Sequence, residues 1–203
     1  LNRNELKDTA VKYLSEALMN HNCILTELCL NDNELTDISV EYLNEALKSG
    51  NCELTELNLN GNKLRDKGVE YLSDALIDEN CKITELYLNF NELTDKCVEY
   101  LREALKSENC GLTVLEIAGN KLTDDGACYL SYALKSDGCN LTKLDISLNE
   151  LSESGEQCLF DVLKLSNDYK LPKLLIQTNV NFTTYLDNLG LTNSHVMIYP
   201  PMS

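Results

Sequence analysis

The stretch LTELCLNDNEL at residues 25–35 decides the fold. It returns as LTELNLNGNKL at 54–64, ITELYLNFNEL at 83–93, LTVLEIAGNKL at 112–122 and LTKLDISLNEL at 141–151, each copy 29 residues after the last. A looser copy, LPKLLIQTNV, opens at Leu171, and LNRNEL at residues 1–6 aligns with residues 30–35 as the tail of an earlier copy. A fixed period of this length, with leucines spaced LxxLxL, builds one short strand and one helix per unit, stacked so that each unit buries its apolar edge on its neighbours. In the first full copy the alternation of a strand turns Leu25, Leu28 and Leu30 inward, Leu35 closes the turn, and Thr26, Glu27 and Cys29 project outward.

Asn33, Asn62, Asn91, Asn120, Asn149 and Asn179 hold one position throughout, with Asn4 as the first member. A carboxamide both donates and accepts, so it can serve the backbone of a tight bend whose groups lack a strand partner. The second half of each unit reads DISVEYLNEALKSGNC from Asp37, DKGVEYLSDALIDENC from Asp66 and DKCVEYLREALKSENC from Asp95, with apolar residues such as Val69, Leu72, Ala75 and Leu76 at helical spacing. Asp37, Asp66, Asp95 and Asp124 stand where N-caps are expected. Tyr13, Tyr42, Tyr71, Tyr100 and Tyr129 recur at the same period and read as a packing row on the helix side. Helix axes pack roughly 8–10 Å apart and strands about 4.8 Å apart, so stacking bends the array into an α/β horseshoe, parallel strands on the concave face and helices on the convex one.

The run LTELNLNGNKLRDKGVEYLSDALIDENC, residues 54–81, resembles the ribonuclease-inhibitor class of leucine-rich repeat, which also occurs at the C-terminus of nucleotide-binding leucine-rich-repeat receptors. The resemblance spans residues 1–179 and implies a right-handed solenoid that binds protein without catalysis. Two features depart from the inhibitor, which resembles an alternation of two repeat lengths and is rich in concave tryptophan: here the period is uniform and Trp is absent.

One domain is expected over residues 1–203, with a partial first repeat at 1–24, five full repeats of 29 or 30 residues at 25–170, and a degenerate last repeat and cap at 171–203. Within the cap, residues 182–189 read as a short helix and HVMIYPP at 195–201 as a final strand ended by prolines. A unit of this kind covers the last apolar edge of a solenoid. No matching cap opens the chain, which reads as the sign of a longer parent protein or of a removed leading segment.

Cys23, Cys52, Cys81, Cys110 and Cys139 recur once per repeat. Stacked equivalents cannot all pair, so they read as small buried thiols of a reducing compartment rather than as a disulfide framework. The net charge of −16 argues against a nucleic-acid partner, which would need a basic stripe, and suits a basic protein partner. No apolar run is long enough to span a membrane. His21 and His195 are the chain's only histidines, and no nucleophile motif, phosphate loop or metal-ligand spacing accompanies them, so no catalytic residue, cofactor or metal is expected.

Function is expected on the strand-side columns, where residues differ from repeat to repeat while the frame does not. Glu27, Glu56, Glu85, Val114, Lys143 and Lys173 form one column, and Cys29, Asn58, Tyr87, Glu116, Asp145 and Leu175 the next. Asn31, Asn60, Asn89, Ala118, Ser147 and Gln177 follow, then Asp32, Gly61, Phe90, Gly119, Leu148 and Thr178 at the strand exits. Tyr87 and Phe90 fall together amid Glu85, Glu116 and Asp145, and aromatics in a polar surround anchor protein interfaces. The expected binding set is Glu27, Glu56, Asn58, Glu85, Tyr87, Phe90, Val114, Glu116, Lys143 and Asp145. The expected protein is a monomer in the cytoplasm that grips a partner, an enzyme with a basic surface among the candidates, and covers its active site. The sensing arm of a nucleotide-binding receptor, and a bacterial effector delivered into host cytosol, fit the same sequence.

Overall fold

The computed structural model of the chain describes residues 1–165, 173–177 and 196–199. Strands and helices alternate: α1 (Asp8–Leu18), β1 (Glu27–Cys29), α2 (Asp37–Leu47), β2 (Glu56–Asn58), α3 (Arg65–Leu76), β3 (Glu85–Tyr87), α4 (Asp95–Leu105), β4 (Val114–Glu116), α5 (Asp124–Leu134), β5 (Lys143–Asp145), α6 (Glu153–Leu165), β6 (Lys173–Gln177) and β7 (Val196–Tyr199). The strands form one parallel sheet in chain order. This is the α/β solenoid that the repeat dictates. β7, the final strand expected from HVMIYPP, pairs with β6; the short helix expected at 182–189 lies outside the described residues.

The core runs along the axis between sheet and helices. From β1 to β5 Leu28, Leu57, Leu86, Leu115 and Leu144 enter it, and from α2 to α5 Val40, Val69, Val98 and Ala127 join them. Leu25 departs from the inward reading. It is 43% exposed, whereas its equivalents Leu54, Ile83, Leu112 and Leu141 are buried, because each of those rests on the preceding repeat and Leu25 has no strand before it. Tyr13 is likewise exposed at 70%, while Tyr42, Tyr71, Tyr100 and Tyr129 are half-buried along the helix side. Lys67 lies over the Tyr71 ring at 4.7 Å and Arg102 over that of Tyr129 at 5.8 Å.

Three rows of hydrogen bonds join successive repeats. The asparagine row works as its chemistry suggests: Asn62 Oδ1 accepts from the Asn33 and Leu35 amides at 3.1 and 3.0 Å, and Asn62 Nδ2 donates to the Leu30, Leu59 and Asn60 carbonyls. In the second row Thr55, Thr84, Thr113 and Thr142 each donate from their backbone N–H at 2.8 Å to the carbonyl of the threonine one repeat earlier. The third row corrects the capping assignment. Asp37, Asp95 and Asp124 are the first residues of their helices and Asp66 the second of α3, so none is a cap: Thr36 and Thr94 cap α2 and α4, accepting from the Ile38 and Lys96 amides. All of them but Asp37, and Asp8 with them, instead reach the residue at the capping position of the following repeat. Asp8 accepts from Thr36, Asp66 from Thr94, Asp95 from Thr123 and Asp124 from Ser152, through both backbone N–H and side-chain hydroxyl. Arg65 stands at that position in α3, so Asp37 lacks this partner.

The five periodic cysteines are unpaired thiols. Burial pushes the Cys52, Cys110 and Cys139 thiols up, and that of Cys81 to about 11, which suits a packing role. Cys128 and Cys158 contradict a purely thiol reading. They form a disulfide between α5 and α6, with Cα atoms 5.2 Å apart. Their separation of 30 falls off the period, which is why equivalence arguments about stacked cysteines do not reach them.

Candidate protein-binding surface

A three-residue strand with a buried centre presents its two flanking side chains to the open side of the sheet. That pattern holds from β2 to β5, each intermediate–buried–intermediate in exposure. Because the register is one to one, Glu27 pairs with Glu56, Glu56 with Glu85, Glu85 with Val114, and Val114 with Lys143. The second column runs Cys29, Asn58, Tyr87, Glu116, Asp145 in the same way. The columns read from the sequence are therefore physical rows of neighbouring side chains.

Glu27, Glu56 and Glu85 stand in line without an opposing cation in their row until Lys143. Burial, then the neighbouring Glu27 and Glu85 charges, hold the Glu56 carboxyl above its ordinary range. Tyr87 donates its hydroxyl hydrogen to Glu85 Oε2 at 2.5 Å, and burial followed by that bond pushes its phenol well up, so it remains a neutral donor. Glu116 is tied down. Its Oε1 accepts from Lys143 Nζ at 2.5 Å and its Oε2 from Asn89 Nδ2 at 2.9 Å, and its side chain is only 15% exposed. Asp145 Oδ1 accepts from both the backbone amide and the hydroxyl of Ser147; burial raises its carboxyl above the usual range against those bonds. The middle of the face thus holds two tied groups that are neighbours in register, Glu85–Tyr87 and Asn89–Glu116–Lys143, flanked by free carboxylate at Glu27 and Glu56.

Phe90 sits apart from these groups at the strand exit. Asp32, Gly61, Phe90, Gly119 and Leu148 all adopt a left-handed backbone, with φ between 56° and 66°. Phe90 is 57% exposed and its ring lies across Gly119, where an added Cβ would stand 2.2 Å from Phe90 Cε1. It is both an exposed aromatic surface and a cover for the adjacent turn.

Three residues of the outward columns are structural. Asn58 Oδ1 accepts from the Asn60 amide in its own turn. In the third column Asn60 and Asn89 carry a second, shorter carboxamide row, accepting from the Asn89 and Ala118 amides at 2.7 Å. Their recurrence in three repeats was the available signal, and the alignment of whole columns hid it.

Parallel strands in register, a buried leucine frame and a varied polar face define a repeat scaffold whose outward side chains are free to differ. Leucine Rich repeat models match residues 21–43, 50–73, 79–101, 108–131 and 139–160, together more than half of the chain, and the chain belongs to this family. Among solved structures, the Leiomodin-1 Actin-Binding Site 2 is similar in fold, with a TM-score of 0.58 and 20% identity over 73% of this chain and 84% of that one. No curated protein sequence matches the chain. Among the described residues no cluster of three or more His, Cys, Asp or Glu side chains is placed to hold a metal, and no helix is long and apolar enough to cross a membrane.

Proposed function

We propose that this chain is a non-catalytic protein-binding module that grips its partner on the concave face. The observation that carries this reading is the contrast between frame and face: the leucines, Asn33 to Asn149 and the threonine carbonyls repeat, while Glu56, Tyr87, Glu116, Lys143 and Asp145 stand in register and differ. A partner seated along the strands would bury about 800 Å² per side, enough for stable association. The pre-tied Glu85–Tyr87 and Glu116–Lys143 pairs lose little freedom on binding, and the free carboxylates Glu27 and Glu56 favour a partner with a basic surface. Phe90 supplies apolar contact at the rim.

The expected site of Glu27, Glu56, Asn58, Glu85, Tyr87, Phe90, Val114, Glu116, Lys143 and Asp145 belongs to this proposal, with Asn58 as a turn-shaping member. So do the single-domain organisation, the monomeric state and the cytoplasm, which the seven unpaired thiols among the described residues favour over the one bridge. Inhibition of an enzyme is one outcome such binding would have. Actin, for which the leiomodin site is named, enters only as one partner to test.

The test compares the chain with a triple variant, Tyr87→Ala, Phe90→Ala and Glu116→Lys, in affinity capture from cell lysate and in direct binding to purified actin. A partner held by the wild type and lost by a variant of unchanged circular dichroism is expected. A partner retained by both moves the site off the concave face and ends this reading.

A further inference from the structure

The third outward column holds a break in its own pattern. Asn31, Asn60, Asn89, Ala118 and Ser147 each follow the end of their strand by two residues, and in the last four a side-chain oxygen holds the backbone N–H. Two kinds of acceptor do this. Asn89 and Ala118 donate to the carboxamide one repeat back, Asn60 Oδ1 and Asn89 Oδ1, both at 2.7 Å. Asn60 and Ser147 instead donate to the residue that ends their own strand, Asn58 Oδ1 at 3.2 Å and Asp145 Oδ1 at 2.9 Å.

Residue identity accounts for three of these four choices. Tyr87 and Glu116 end β3 and β4, and neither has the short side chain that closes on the amide two residues on, so the preceding carboxamide serves. Before Ser147 the preceding column member is Ala118, which carries no acceptor, so Asp145 serves. Of the four, only the Asn60 amide has a candidate on both sides. Asn58 holds it, through the longest of the four bonds. Asn31 occupies the column position that Asn60 and Asn89 hold in the next two repeats, and its Oδ1 is buried without a partner. A buried oxygen without a donor calls for a reason. Here it belongs to the acceptor that the row would use if Asn58 let go.

We propose that Asn31 and Asn58 are alternative acceptors for the Asn60 amide, and that Asn58 is the residue of the concave face that a partner recruits without breaking the frame. When the Asn58 oxygen turns to a partner's donor, the Asn60 N–H passes to Asn31 Oδ1 and the buried oxygen gains its bond. A carboxamide presents an acceptor and a donor side by side, matching the N–H and C=O that one residue of an extended chain turns to the same side. Asn58 therefore suits a main-chain edge of the partner, while the neighbouring Glu27 and Glu56 suit its cations. The hand-over is a property of the free chain; its use in recognition rests on the concave-face reading above.

Hydrogen exchange of the Asn60 amide, followed by NMR, tests the hand-over without a partner. Asn31→Ala and Asn58→Ala alone are each expected to leave its rate within about threefold of the wild type, and the double variant to raise it at least about tenfold, as loss of one neutral hydrogen bond does. A larger rise in either single variant, or a smaller one in the double, overturns the proposal. In Asn58→Ala a scalar coupling across the new bond, from the Asn60 amide nitrogen to the Asn31 side-chain carbonyl carbon, is also expected, with the Asn89-to-Asn60 bond at 2.7 Å as internal control. No coupling where the control shows one overturns the proposal even if the double variant does not fold. On a partner captured by the concave face, Asn31→Ala is expected to weaken binding about tenfold in the wild-type chain and to add nothing in Asn58→Ala. Equal weakening in both backgrounds overturns the role of Asn58 in recognition, whereas absence of any concave-face partner ends the earlier reading alone.

Discussion

Replacing Asn62 by alanine removes one rung that joins three repeats. The side chain is 4% exposed; its Oδ1 holds the Asn33 and Leu35 amides, and its Nδ2 spans the Leu30, Leu59 and Asn60 carbonyls. Alanine leaves both amides buried without an acceptor, at about 1–3 kcal/mol each, so a loss of about 3–4 kcal/mol is expected after partial relaxation. With a urea m-value of about 2.5 kcal/mol/M for a chain of this size, the unfolding midpoint followed by far-UV circular dichroism falls by about 1.4 M. Asn62→Asp keeps the acceptor oxygens but loses the donors to three carbonyls, and its midpoint should lie between alanine and wild type. Glu27→Gln, on an exposed side chain of the face, should change stability by less than about 0.5 kcal/mol. A midpoint for Asn62→Ala within about 0.3 M of the wild type would refute the reasoning that this row, rather than the leucine core alone, holds the repeats together.

Further outcomes follow from the same geometry. The Glu56 carboxyl is held above its unfolded value, so the folded state takes up protons more readily and stability falls as pH rises through that window; Glu56→Gln should raise the thermal midpoint at neutral pH and lose this advantage below the carboxylate range. Gly119→Ala places a Cβ against the Phe90 ring at φ +64°, and a loss of at least about 1–2 kcal/mol is expected from the left-handed backbone alone; in a double-mutant cycle Phe90→Ala should relieve the remainder, and strict additivity would show that the ring does not press on this turn. Reduction of Cys128–Cys158 opens a loop closed over 30 residues, and chain-entropy reasoning sets the loss at about 3.6 kcal/mol, readable as a lower urea midpoint in dithiothreitol that a Cys128→Ser variant does not show.

Much of this molecule was legible as text because its contacts repeat. The leucine frame, the Asn33 to Asn149 row and the columns from Glu27 to Lys143 each recur at a fixed interval, and parallel register turns recurrence into adjacency. Features that depend on a neighbour's identity were not legible. Leu25 carries the same letters around it as Leu54, and differs only in having no strand before it. The Asp95 carboxylate sits where a cap is expected, and only the stacking reveals that its reach ends on Thr123. Asn60 and Asn89 look like free surface amides until the strands come together and their oxygens meet the next repeat's backbone. Cys128 and Cys158 occupy non-equivalent helix positions, so no period links them.

The placement of the inter-repeat hydrogen bonds has a mechanical consequence. The threonine carbonyls and the asparagine carboxamides tie the inner edge at 2.8–3.1 Å per contact, and the aspartate row fastens the start of most helices. The outer flanks of the helices meet through side chains such as Tyr71 and Tyr100, with cross-ties from Asn44 and Lys48 to Asp74 and at Cys128–Cys158. The array therefore behaves like a leaf spring clamped along one edge. When a bound surface is flatter or rounder than the resting curve, the helix flanks absorb the bending and the spacing between Glu56, Glu85, Glu116 and Lys143 stays constant.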